Sequence, residues 1–202
     1  MTAIVVLDAG QDLEEKLTIN WKLGNKYHTR LPRSVKTLSR HTLLNLAIVK
    51  SDNLAAYTLC ENYPGGLDHC IIAMNLKAMS MQLPNTQFAD PTGLDPGNVS
   101  TARELVQLVL LAKTYQQITD ASSMTEVNIQ VNRRWWQFGN TNPLVWQEDN
   151  IFVSKTGYIR ASGGCLVMML ATELGERVVV VLNSKNTRTR IPEAKKIASI
   201  NY

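Results

Sequence analysis

Two tripeptides hold the side chains of this chain that could do chemistry. Ser51-Asp52-Asn53 sets a hydroxyl, a carboxylate and a carboxamide on consecutive residues, and Lys155-Thr156-Gly157 sets an ammonium and a hydroxyl ahead of a glycine. Acyl transfer needs such groups, to relay a proton and to hold a carbonyl or a carboxylate. Each tripeptide also has a plain structural reading. Ser, Asp and Asn are preferred helix caps, and a helical segment starts at Leu54. The glycine after Lys155 and Thr156 suits a turn at the end of a strand, with the lysine solvated. Taken singly, neither identifies an activity.

Other chemistries lack their residues. His28, His41 and His69 lie far apart, with no carboxylate or cysteine at ligand spacing, so neither a His-based triad nor a metal site is expected. No cofactor is indicated. Cys60, Cys70 and Cys165 cannot all pair and lack zinc-site spacing; they read as small buried apolar residues. The chain has 21 Lys and Arg against 17 Asp and Glu, a net charge of +4 that is compatible with polyanions. The basic residues are scattered, apart from Arg133-Arg134 beside Trp135-Trp136 and the Arg188 to Arg190 run. No phosphate-tracking stripe results, and no nucleic-acid partner is expected.

The elements that must position the two tripeptides can be read from periodicity. A chain of 202 residues, 45% of them hydrophobic, suits a single domain over residues 1–202. Met1 to Ala9 reads as a helix already in progress, because Ile4, Val5, Val6 and Leu7 begin with no cap before them. Lys16 to Arg40 reads as a small β-rich excursion. Ser39 caps a helix through Val49, and a second helix runs from Leu54 towards Asn62 until Pro64-Gly65-Gly66 stops it. A third, Leu67 to about Met81, places Leu67, Cys70, Ile71, Met74 and Ala78 on one face, with its methionines as core fillers. Thr101-Ala102-Arg103-Glu104 reads as a capping box for a helix through Lys113. From Asn150 the period changes: Ile151 to Val153, Cys165 to Ala171 and Val178 to Leu182 are strand runs joined by short Gly-bearing turns, which predict an antiparallel meander. Pro192 opens a closing amphipathic helix, Glu193 to Ile200. Met1 to Leu7 lacks the marks of a secretory signal, and no stretch approaches the roughly 20 apolar residues of a membrane span, so a literal reading leaves the chain in the cytoplasm.

In this order, with the first tripeptide between helices and the second on a strand, the pair resembles the S-D-N and K-T-G elements of penicillin-interacting serine enzymes. Phe88 to Leu94, Asn98 to Ala102, Asn140-Thr141-Asn142 and Gly164 to Met168 are similar to the D-alanyl-D-alanine endopeptidases, low-molecular-weight penicillin-binding proteins. The resemblance runs from Met1 to the C-terminal helix. It implies an α+β fold of the serine β-lactamase and DD-peptidase kind, an antiparallel β-sheet flanked by helices. It also implies a periplasmic location, and peptidoglycan peptides and β-lactams as partners. In the family the tract Met1 to Ala9 directly follows the S-x-x-K motif of nucleophile and base, and no S-x-x-K occurs among these residues. The expectation is a domain truncated before its nucleophile and first strands, inactive as it stands, and prone to self-association through the exposed edge. The alternative is a non-catalytic module that binds peptidoglycan peptides or a partner.

The resemblance assigns the remaining roles. Ser51 passes a proton between the base and the leaving nitrogen, Asn53 holds a substrate carbonyl, and Asp52 faces away and orders the turn. Lys155 draws in a substrate carboxylate and polarises Ser51, Thr156 hydrogen-bonds that carboxylate, and Gly157 lets the substrate backbone approach. The N–H of Tyr158 is one oxyanion donor. Ile159 stands where the family commonly has a hydroxyl, and the Arg160 beside it is either a carboxylate ligand or an ordinary surface charge. Trp135 and Trp136 either line the cleft or pack elsewhere. Asp90 reads as structural.

Overall fold

The computed structural model describes residues 1–199 of the chain. Its helices are α1 (Thr2–Asp8), α2 (Arg40–Asn45), α3 (Asn53–Glu61), α4 (Gly66–Ser80), α5 (Ala102–Ala112), α6 (Gln116–Ser123) and α7 (Arg190–Ala198). Its strands are β1 (Lys16–Thr18), β2 (Thr37–Ser39), β3 (Glu126–Val131), β4 (Arg134–Gly139), β5 (Ile151–Ile159), β6 (Gly163–Thr172) and β7 (Gly175–Ser184). The order β5-β6-β7 is an antiparallel meander, as the strand runs and glycine-bearing turns predict, with β5 at one edge. The pairs β1-β2 and β3-β4 are separate two-stranded ribbons.

Both faces of the meander are covered, which explains its nearly continuous apolar strands. Leu166, Met168 and Leu170 of β6, with Val179 and Val181 of β7, join Ala194 of α7 in one buried cluster. Val153 of β5 and Met169 of β6 face the other way, into the main core with Val109 and Ala112 of α5 and Ile118 and Ala121 of α6. That core continues through Leu43, Leu44, Leu54 and Leu59 of the helical part. A residue on β5 facing this side therefore looks at α6 and at the Leu46–Lys50 connection between α2 and α3.

Several local expectations are revised. The helix capped by Ser39, whose Oγ accepts from Thr42 N, does not run uniformly to Val49: it ends as a π-helical turn, Leu46–Lys50. Residues 116–139 hold a short helix and a hairpin that carry no strong periodic signal. Glu104 does not complete a capping box. Thr101 Oγ1 accepts from Glu104 N, but the Glu104 carboxylate turns to Asn85 and Thr86 and ties α5 to the loop after α4. Met74 is buried as a core filler, whereas Met79 is exposed. The last helix begins at Arg190, two residues before Pro192; Ile200, placed in it from sequence, lies outside the described residues.

Cys60 and Cys70 are not lone buried thiols but a disulfide, with Cα atoms 5.4 Å apart. They come from the end of α3 and the first turns of α4. Gly65 and Gly66, at φ 84° and 82°, make the reversal that brings these ends together; residues with a Cβ adopt that backbone only with strain. Cys165 is free. A disulfide closing so short a loop stabilises by about 2–3 kcal/mol. The Cys60→Ala/Cys70→Ala variant should show a correspondingly lower urea midpoint. Reductant should lower the midpoint of the parent chain and leave that of the variant unchanged.

Candidate active site

Lys155 sits mid-way along β5, paired with Val167 of β6, and faces the helical side. Its Nζ donates to Ser51 Oγ at 2.5 Å and to its neighbour Thr156 O at 2.8 Å. The two tripeptides therefore meet. No Asp or Glu forms an ion pair with Lys155 among the described residues. Burial, and then the charge of Arg190, push its pKa down from 10.5 to about 8. An ammonium held inside without a counter-charge is an attractive seat for an anion and a ready source of a neutral amine.

Ser51 reaches this position through an unusual backbone. The π turn ends with Ser51 N and Asp52 N both donating to Leu46 O, and Ser51 itself is left-handed, at φ 56° and ψ 40°. A non-glycine residue there costs on the order of 1–3 kcal/mol, and such outliers gather at functional sites. The next two residues repay part of that cost. Asp52 caps α3, with Oδ1 accepting from Ala55 N at 3.0 Å, while Oδ2 accepts from the Thr29 hydroxyl at 2.7 Å and Arg30 N at 3.3 Å. Asp52 thus has its carboxylate engaged by α3 and by the loop before β2, which it ties down, while the residue borders the cavity. Asn53 lines the cavity beside Ser51, and its Nδ2 donates to Tyr27 O at 3.2 Å.

The cavity holds about 290 Å³; Ser51, Asp52, Asn53, Asp90, Asn98 and Lys155 are among its polar lining, against apolar Met1, Phe88, Pro91 and Val153. Asp90, on its rim, is held as the sequence suggests: Oδ1 accepts from Gly93 N at 2.9 Å and from Asn98 Nδ2 at 2.5 Å. It orders the turn.

Further along β5, Thr156 Oγ1 donates to Thr141 Oγ1 at 2.7 Å, and Thr141 N donates to Val49 O at 3.0 Å. Thr141 so bridges the lysine strand to the π turn that carries the serine. Its neighbour Asn142, 1% exposed, donates to Ser154 Oγ at 2.8 Å. Gly157 lies opposite Cys165, and its carbonyl accepts from Arg190 Nη1 at 2.6 Å. Tyr158 and Arg160 are exposed, the cavity is lined by Val153, Ser154 and Lys155 of β5 but not by Thr156, Gly157 or Tyr158, and the strand turns back at Gly163. Trp135 and Trp136 lie on β4 and do not line the cavity.

Sequence reasoning assigns no role to Thr141, Ser154 or Arg190. Arg190 is visible there only as part of a basic run, and Ser154 only as a polar residue in an apolar strand. A polar residue at a strand position buried on both faces is the one signal that points to such partners.

Two substitutions probe this arrangement. With its folded pKa held below the unfolded value, Lys155 costs stability below about pH 8, where both states bind the proton. That cost fades as pH rises from 8 to 10.5, where only the unfolded chain still binds it. Lys155→Met should therefore stabilise the fold at pH 7 by about 1–3 kcal/mol, in urea titrations, with a gain that shrinks above pH 8. Asp52→Ala should cost about 1–3 kcal/mol through the lost cap and loop tie, and hydrogen exchange should show faster opening at Thr29 to Leu31.

Among solved structures the fold matches a Streptomyces DD-transpeptidase at a TM-score of 0.89 and 24% identity, covering 98% of this chain and 82% of that one. It also matches a penicillin-binding protein of Listeria monocytogenes in its cefotaxime-bound form at a TM-score of 0.81 and 24% identity, over 98% of this chain and 82% of that one. Among curated proteins the chain is 37% identical to a D-alanyl-D-alanine endopeptidase of Escherichia coli and 34% identical to one of Pseudomonas aeruginosa, over 98% of its own length in each case. It spans 65% of the length of those two relatives. The sequence model of the family described as D-alanyl-D-alanine carboxypeptidase matches residues 1–186. With its serine and lysine motifs in contact across the cleft, the chain belongs to the D-alanyl-D-alanine carboxypeptidase family.

Proposed function

We propose that the chain is the substrate-holding part of a serine D-alanyl-D-alanine endopeptidase or carboxypeptidase of peptidoglycan remodelling. We further propose that the 202-residue polypeptide by itself binds D-alanyl peptides without turning them over. The observation that carries this reading is the Lys155 Nζ to Ser51 Oγ contact of 2.5 Å at a cavity whose other walls are largely apolar. A substrate carboxylate meets the Lys155 ammonium and the Thr156 hydroxyl, and Asn53 donates to the peptide carbonyl. Ser51 hands a proton to the leaving nitrogen, and the Tyr158 N–H donates to the oxyanion. β-Lactams enter by the same groups.

These 202 residues contain no Ser-x-x-Lys sequence, so the relay has no acylated serine to serve. That feature also favours the second reading, a non-catalytic module that holds peptidoglycan peptides. A periplasmic setting is supported by the Cys60–Cys70 disulfide, since such bonds persist in oxidising compartments. No helix among the described residues is long and apolar enough to cross a membrane.

The test is incubation of the polypeptide with a fluorescent penicillin followed by intact mass, together with calorimetric titration of a D-alanyl-D-alanine peptide. The expected result is no covalent adduct and saturable peptide binding that weakens at least about tenfold in Lys155→Ala. A stoichiometric adduct lost in Ser51→Ala would make Ser51 the nucleophile and overturn the reading.

A further inference from the structure

No residue of the β3–β4 hairpin lines the cleft, yet one face of the hairpin carries an exposed indole, and a second indole from the turn after it rests beside that face. In its register Glu126 pairs with Gly139, Asn128 with Gln137, and Gln130 with Trp135, so these six residues share a face. The opposite face carries Val127, Ile129 and Phe138, which are buried. Trp135 is 69% exposed. Trp146 ends the 3-10 turn Pro143–Trp146 and is 54% exposed. Its Cζ2 lies 3.5 Å from where a Cβ on Gly139 would project, so its ring rests over the same face at the root of the hairpin. Gly139 lies four residue steps along the strand from Trp135, a span of about 13 Å.

Between the indoles lie polar groups that are already fixed. Asn128 Nδ2 donates to Glu126 Oε1 at 2.9 Å, and Gln137 Nε2 donates to Glu126 Oε2. Those bonds, Asn128 first and then Gln137, hold the Glu126 carboxyl below its usual range. Beyond Trp146 the surface falls into a hollow of about 520 Å³ lined partly by Thr125 and Gln147.

Flat aromatic faces beside carboxamides and a carboxylate suit a ligand with apolar C–H faces and a rim of hydroxyl and amide groups, which is the chemistry of an amino-sugar ring. A polyanion is disfavoured, because Glu126 is the only charged side chain of the six paired residues. A membrane surface is disfavoured too, because Glu126 and the carboxamides of Asn128, Gln130 and Gln137 share the face with Trp135.

We propose that this face binds a glycan strand, a polymer of amino sugars, laid from Trp135 across Trp146 to the hollow. In the chain β4 is followed by Asn140 and Thr141, whose hydroxyl meets Thr156 of the lysine strand. That the glycan is the backbone of the peptidase substrate rests on the function proposed above; that the face takes an amino-sugar polymer does not.

The test is calorimetric titration of the 202-residue polypeptide with the N-acetylglucosamine hexamer, with anionic phospholipid vesicles as the competing probe. The expected result is saturable hexamer binding that weakens at least about fivefold in Trp135→Ala and in Trp146→Ala. Binding of the D-alanyl peptide should be unchanged in both variants. Far-UV circular dichroism checks that both remain folded. If either does not, NMR titration of the parent chain with the hexamer takes its place, and the indole N–H signals of Trp135 and Trp146 should shift. No saturable hexamer binding, binding undiminished in both variants, unmoved indole signals, or vesicle binding in its place would overturn the proposal. Hexamer binding without peptide binding would instead overturn the peptidase reading and leave this one standing.

Discussion

The buried ammonium of Lys155 is the constraint on which the rest of the structure depends. Keeping a lysine charge inside without a carboxylate partner is unfavourable, and only fixed dipoles offset it. Here they are the Ser51 hydroxyl and the Thr156 carbonyl. Both must be held in place, because a hydrogen bond to a charge is lost if either partner drifts by an ångström. The fold meets that demand from two directions. The meander is clamped between α5 and α6 on one face and α7 on the other, so β5 is rigid although it is an edge strand. The serine arrives on a π turn, the one stretch of irregular helix in the path from β2 to α3.

Cross-ties then lock the two parts together. Thr141 joins Thr156 to the main chain of Val49, Asn142 joins the following turn to Ser154, and Arg190 anchors the carbonyl of Gly157. Each tie connects β5 to a different element, so the position of Lys155 is over-determined. That redundancy lets a left-handed serine persist where isolated backbone preferences would relax it. On the far side, Asp52 and the Cys60–Cys70 bond stiffen α3 at both ends, which fixes the direction in which Ser51 and Asn53 enter the cavity.

Much of this was legible in the sequence because the signals are local. Ser39 and Thr101 announce helix starts through their own side-chain acceptors, and the meander announces itself by short apolar runs separated by glycine-bearing turns. Revisions came where a side chain had a choice of partner. Glu104 has the spacing of a capping box, but Asn85 and Thr86 offer its carboxylate three donors, more than the cap would. Cys60 and Cys70 look like buried helix residues until the Gly65-Gly66 reversal folds α4 back on α3.

The sequence by itself determined which reactive groups exist, their order, and that one triplet lies between helices and the other on a strand. These depend on cap chemistry and periodicity within a few residues. Only the tertiary structure decided that Lys155 touches Ser51, that Thr141 and Arg190 serve the same strand, and that Trp135 shares a face with Trp146. Contacts between segments far apart in the chain depend on the packing of every element between them, and no local pattern encodes a distance across a core.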